Sequence, residues 1–307
     1  MGGADVMGRL RRLVGRGAPP PPVVPLFVPP GHFYSPVVDP AELADRAEEL
    51  FRADRPLPGI EMNEAAQCAL AERMREPARA LWFPDEPGTQ ARYFYRNDAF
   101  SYADAVTLGC LLQLLRPRRI IEVGSGYSSA LMLDVVERCL DWSASLTCID
   151  PHPERLASLL RPGDHAHVEI IAQPVQRVDL TLFDRLEAGD VLFIDSTHIV
   201  KTGSDVLHHF ERVLPRLRPG VVIHLHDMFH PFEYPRPWVM DMNLSWNELY
   251  YVRAFLTGNA AYEVMFFVDF MAKRHAGLML AVAPQFMQRG GSSLWLRKTD
   301  AGSGAEK

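Results

Sequence analysis

The chain has 307 residues, a formal net charge of -6 and a pI near 6.0. That balance gives no electrostatic footprint for a nucleic-acid partner. Hydrophobic content of 48% against 23% charged residues is that of a soluble globular protein with a sizeable core.

No run approaches the roughly 18 apolar residues that cross a bilayer, so no membrane span is expected. Cys68, Cys110, Cys139 and Cys148 are scattered without a C-x-x-C pair. They read as buried thiols in a reducing, cytoplasmic compartment.

Arg9, Arg11, Arg12 and Arg16 form a basic stretch with no apolar h-region behind it, which argues against a secretory signal. Residues 17–36, "GAPPPPVVPLFVPPGHFYSP", hold too many prolines for helix or sheet and read as an extended linker. Its Phe27, Phe33 and Tyr34 suggest that the second half lies against a surface, as a lid over a ligand or as a contact in a homo-oligomer. Helical spacing over Pro40 to Phe51 and Asn63 to Leu81, with Asp39 and Asn63 at N-cap positions, predicts a helical N-terminal region over residues 1–100. "YADAVTLGCLLQLL" (102–115) predicts a mostly apolar helix stopped by Pro117.

Short apolar runs then alternate with helical stretches: "RIIEVG" (119–124), "SLTCID" (145–150), "VEIIAQ" (168–173), "DVLFID" (190–195) and "GVVIHLHD" (220–227). Runs apolar on both faces and separated by helices indicate a parallel sheet covered on both sides. "YEVMFFV" (262–268), "GLMLAVA" (277–283) and "SLWLRK" (293–298) follow closely and predict antiparallel strands at or beyond the sheet's edge. The expected fold is α/β, doubly wound, over residues 101–300, with a flexible tail at 301–307.

"EVGSGYSS" (122–129) ends the first strand and opens a helix, and Gly124 and Gly126 allow a ligand close to the backbone at the helix start. Asp150 ends the second strand, where an acid accepts from ribose hydroxyls. The third glycine of a dinucleotide fingerprint is absent, since position 129 is Ser129. Glu122 would repel a pyrophosphate but suit a cationic amino group. The balance favours S-adenosylmethionine over a nicotinamide dinucleotide.

With "RIIEVGSGYSSALML", "CIDPHPERL", "DVLFIDSTHIVKTGSDV" and "GVVIHLHDMFHPFEYP" the chain resembles a class I S-adenosylmethionine-dependent methyltransferase over roughly residues 90–240. More narrowly it is similar to the bacterial small-molecule methyltransferase group. The resemblance implies a Rossmann-like seven-stranded sheet with helices on both faces and one reversed edge strand. It also implies cofactor contacts by Glu122, Gly124, Ser125, Gly126, Tyr127 and Ser128, by Asp150 at the ribose, and by Ser101 at the methionine carboxylate. Adenine would be read near Gln173 to Gln176.

Two further strand ends carry chemistry. "FIDSTH" brings Asp195 and His198, and "HLHD" brings His224, His226 and Asp227, to the carboxyl ends of the fourth and fifth parallel strands, where ligands sit in doubly wound sheets. An imidazole beside a carboxylate suits a general base near neutral pH. The chain is also similar to metal-dependent O-methyltransferases acting on catechols and antibiotic sugars. That resemblance implies Asp195 and Asp227 as metal ligands and His198 as base. His226 departs from it, standing where the pattern has an acid. Histidine is a poor magnesium ligand, so the alternatives are a softer divalent metal held by Asp195, Asp227 and His226, or none. His224 is expected to be a hydrogen-bonded packing residue, His208 and His209 helix contacts, and His230 a loop residue.

The function expected is S-adenosylmethionine-dependent O-methylation of a small-molecule acceptor, with His198 as catalytic base supported by Asp195 and Asp227. Glu233, Tyr234, Arg236, Trp238, Trp246 and Asn247 are candidates for the acceptor's wall. Two other readings stand beside it: a non-haem metal oxygenase using His198, His226 and Asp227, and a non-catalytic cofactor-binding module.

Overall fold

The computed structural model describes residues 25–100 and 102–300. The basic stretch, the linker's first part, Ser101 and the 301–307 tail lie outside the described residues. A seven-stranded sheet runs in the order β3-β2-β1-β4-β5-β7-β6. β1 (Arg119–Val123) pairs in parallel with β2 (Ser145–Ile149) and β4 (Val191–Ile194), β2 with β3 (Val168–Ile171), and β4 with β5 (Val222–Leu225). These are the five apolar runs, and β4 and β5 are buried along their whole length. The chain winds outward from β1 to β3, then returns to β4 on the other side of β1. That reversal opens a crevice beyond the carboxyl ends of β1 and β4, where such sheets bind ligands.

The reversed strand is not at the edge. β7 (Leu294–Lys298) runs antiparallel between β5 and β6 (Tyr262–Phe267). "GLMLAVA" is not a strand either, since Ala276–Val282 is helical. Its buried positions, Met279 and Val282, are three apart while Leu280 is 49% exposed, the one-sided burial of a helix and not the alternation of a strand.

The helix α1 (Glu64–Arg79) packs Ala71 and Met74 against α2 (Tyr102–Leu115), which is buried from Tyr102 to Leu112. Gln67, also buried, accepts from the backbone N–H of Phe267 at 2.8 Å, tying α1 to β6. Asn63 precedes α1 but does not cap it; its amide donates to the Val264 carbonyl at 3.1 Å. Asp39 does cap, accepting from Ala41 N–H at 2.9 Å. The stretch it opens breaks into three short turns, Pro40–Leu43, Ala44–Arg46 and Ala47–Leu50, instead of one helix. Phe27, Phe33 and Tyr34 do not lie against the body: they are mostly exposed and contact one another.

A buried ionic knot fastens the segment before α2 to the sheet's helices. Arg92 lies 2.8 Å from Asp134 and 2.6 Å from Glu137, both on α3 (Tyr127–Cys139), and 2.5 Å from Asp164. Asp134 also accepts from the backbone N–H groups of Arg92 and Tyr93. Burial opposes the guanidinium's charge, but the hydrogen bonds to Asp164, Glu137 and Asp134 outweigh it and raise the arginine's pKa. Breaking one partner out of such a buried set costs about 3–5 kcal/mol.

Candidate active site

The glycine loop closes the carboxyl end of β1. Gly124 has φ +83°, and a Cβ there would lie 1.8 Å from the carbonyl oxygen of Asp195. Only glycine lets the loop pass so near β4. Ser125 donates to Asp150 through its N–H at 2.9 Å and its hydroxyl at 3.1 Å, so the end of β2 braces the loop from one side.

Glu122 braces it from beneath. Its carboxylate is fully buried and accepts from Ser128 Oγ at 2.6 Å, from Ser129 Oγ and from the Cys148 thiol. Ser129, where a dinucleotide loop would have its third glycine, also accepts from Gly126 N–H at 2.9 Å. Burial pushes the Glu122 carboxyl up to about 7, against those three hydrogen bonds. Of the expected cofactor residues, Glu122 and Ser128 are thus engaged with each other inside the loop. Tyr127 faces outward, in a cleft of about 440 Å³ lined also by Phe94, Arg96, Asn97, Tyr102 and Arg289. A larger cavity of about 520 Å³ lies around the starts of β1, β2 and β3, at the wrong end of the strands for the site. Near the expected adenine end, Gln176 is exposed and donates to the Gly203 carbonyl at 3.1 Å.

Beyond β4 and β5 the four expected side chains meet, though not in the expected grouping. His198 Nε2 lies 3.4 Å from Asp195 Oδ1 and 3.4 Å from Asp227 Oδ2. Ligand atoms of Asp195, His198 and Asp227 come within 4.8 Å of one another, a set that could hold a metal ion. His226, read as the third metal ligand, stands outside it. Its Nε2 is 3.9 Å from Asp227 Oδ1, and its buried Nδ1 has no partner among the described residues. The two-histidine, one-carboxylate triad of an oxygenase is therefore not assembled; two carboxylates and one imidazole are. His224 packs face to face on Phe193 at 3.7 Å, and neither of its nitrogens has a hydrogen-bond partner among the described residues, contrary to expectation.

Both turns are held in the left-handed region, His198 at φ +61° and Asp227 at φ +55°. Non-glycine residues rarely adopt it, and such positions persist where the surroundings over-determine them. Ser292, just before β7, donates its hydroxyl to Asp227 at 3.0 Å and its N–H to Asp104 at 3.0 Å, while its carbonyl accepts from Met228 N–H at 2.7 Å. Behind His198 stands Glu248, 2.9 Å from Nδ1. Sequence reasoning missed Glu248 and Ser292, which touch the cluster from elements distant in the chain, and Asp104, which reaches it only through Ser292.

The charges reinforce one another. Burial disfavours a charged His198, but the hydrogen bonds to Asp195 and Glu248 and the charges of Asp227 and Glu248 overcome it and raise its pKa well above the ordinary value. For Asp195, burial opposes ionisation, yet His226 and His198 outweigh it and hold the carboxyl below its usual range. The site is a buried pool of negative charge around an imidazole, beside a loop built for close backbone approach.

A family model described as a methyltransferase domain matches residues 121–228, from β1 to the turn after β5. A protein of Archaeoglobus fulgidus, described as an uncharacterized protein, is 34% identical over 165 residues, covering 52% of this chain and 73% of its own. Residues 121–228 thus form a methyltransferase domain, consistent with the class I S-adenosylmethionine-dependent methyltransferases. Solved structures similar to this methyltransferase include the SAH-bound methyltransferase PaMTH1 of Podospora anserina, at 17% identity, 90% and 100% coverage of the two chains and a TM-score of 0.42. Another is an O-methyltransferase of Bacillus cereus in complex with SAH, at 13% identity, 84% and 97% coverage and a TM-score of 0.42. No helix among the methyltransferase's described residues is long and apolar enough to cross a membrane.

Proposed function

We propose that this methyltransferase moves the methyl group of S-adenosylmethionine to a hydroxyl oxygen of a small molecule, with His198 receiving the hydroxyl's proton. The observation that carries the reading is the buried His198 ring at the mouth of β4 and β5, with Nε2 turned to Asp195 and Asp227. The cofactor would lie along Gly124, Ser125, Gly126 and Tyr127, with Asp150 at the ribose. The Asp150 brace on Ser125 would hold that loop ready. In the step, the acceptor oxygen forms a bond to the methyl carbon while the carbon–sulfur bond breaks. The electron pair stays on sulfur and the hydroxyl proton goes to His198 Nε2. Alignment of the two reactants supplies much of the acceleration, since the sulfonium is already a reactive donor.

Asp195 and Asp227 have the donor chemistry to hold a divalent cation next to His198. Such an ion would make the acceptor hydroxyl more acidic and offset the carboxylates' charge. Without an offset, those carboxylates keep the ring protonated, so the proton-accepting form of His198 depends on how their charge is balanced. Trp246, whose ring centroid is 4.5 Å from that of His198, and Trp238 beside it would form an apolar wall for the acceptor.

Calorimetric titration with S-adenosylmethionine and with NAD tests the cofactor, with micromolar binding of the first and none of the second expected. Transfer of labelled methyl groups into a panel of phenols, catechols and sugars tests the reaction. Full turnover by a His198→Ala variant would end the base assignment.

A further inference from the structure

The segment Trp246-Asn247-Glu248 grips the His198 turn through backbone and side chains alike. The helix α4 (Glu248–Leu256) begins there, and the backbone N–H groups of Asn247 and Glu248 donate to the His198 carbonyl at 3.2 and 3.1 Å. The Asn247 side chain accepts from Val200 N–H at 2.5 Å and donates to the Val200 carbonyl at 3.2 Å. Trp246 covers one face of the imidazole. Glu248 Oε2 lies 2.9 Å from the ring's Nδ1, across 50 residues of sequence.

An acid in a helix's first turn is ordinarily an exposed partner of the helix dipole. Glu248 is 1% exposed, and its second oxygen, Oε1, is buried with no partner among the described residues. Buried carboxylate oxygens ordinarily find partners, so the orphaned Oε1 calls for an explanation. Since a carboxylate accepts, its ring partner carries the hydrogen at Nδ1, and the free lone pair of a neutral ring is then at Nε2. That is the nitrogen turned toward Asp195 and Asp227.

We infer that Glu248 is the positioning residue of His198, holding the ring by Nδ1–H so that Nε2 alone faces Asp195, Asp227 and the acceptor. The assignment rests on the methyl-transfer reading for its purpose and on geometry of its own for its substance. It gives the short run after Trp246 a specific role, with α4 as the arm that sets the tautomer.

The test is the ring proton itself. In protein with 15N-labelled histidine, His198 is expected to show a downfield Nδ1 proton, slow to exchange with water and absent from a His198→Ala variant. Glu248→Ala should abolish that signal, because the Nδ1 proton, no longer held by a carboxylate, exchanges freely with water. Binding of S-adenosylmethionine by calorimetry should stay within about two-fold, as the cofactor loop is untouched. An unchanged Nδ1 signal in Glu248→Ala would overturn the assignment. Should that variant fail to fold, Glu248→Asp withdraws the carboxylate by one methylene; an upfield shift with faster exchange supports the inference, and an unaltered signal defeats it. The outcome is independent of whether His198 proves to be the base, which the turnover of His198→Ala decides separately.

Discussion

Arg92 and His198 each sit among three carboxylates, and the two clusters have opposite characters. Around Arg92 every contact is short, and the guanidinium fills its fork with Asp134, Glu137 and Asp164. Around His198 one contact is short, that to Glu248, while Asp195 and Asp227 stand off at 3.4 Å. A guanidinium cannot lose its charge, and this one is buried with every arm of its fork filled by a carboxylate, which leaves it nothing to offer a ligand. An imidazole can lose its charge, and its cluster keeps a loose side, where the Asp195 side chain is 28% exposed. A closed ionic knot around a fixed charge makes a fastening. An open one around a titratable charge makes a site.

The largest effect should separate these roles. Arg92→Met leaves Asp134 and Asp164 buried without their partner and should cost about 3–5 kcal/mol, read as a lowered urea midpoint, with turnover of the folded fraction unchanged. His198→Ala should act on activity instead, lowering kcat about 10²–10⁴-fold in the folded protein. A variant of Arg92 that folded normally but had lost turnover would break the contrast.

Glu122 sharpens it, as a buried acid with no cation beside it among the described residues. Its folded pKa of about 7 lies above the ordinary 4.5, so its contribution to stability is full below pH 4.5 and is lost as pH rises through 7. That loss is about 3 kcal/mol across the window. Glu122→Gln should flatten the dependence, measured as urea midpoints at pH 5 and pH 8, and an equal slope in both proteins would refute the assignment. At the small end, Arg79→Ala removes the exposed pair with Glu76 and should leave the midpoint unchanged within error.

The strands of the parallel core were legible because burial on both faces writes itself as an uninterrupted apolar run, as in Val191–Ile194 and Val222–Leu225. The same property misled at 277–283, since a short apolar run carries no period to tell helix from strand. Asp195, His198 and Asp227 could be read from their place at strand ends. Glu248 could not, because a first-turn glutamate looks like any dipole partner until the fold turns it inward. His226 was a candidate ligand by its place at the end of the fifth strand, where the family pattern has an acid, and it lies beside Asp227 but outside the group formed by Asp195, His198 and Asp227.

The position of β7 between β5 and β6 has a consequence in time. During synthesis the glycine loop, Asp195, His198 and Asp227 emerge well before residues 292–298. Until those residues emerge and slot in, Asp227 lacks the Ser292 hydroxyl and Asp104 lacks the Ser292 N–H. A nascent chain can thus carry all three converging side chains and still have an unfinished pocket, so competence arrives as a late event of assembly and not with the first folded half.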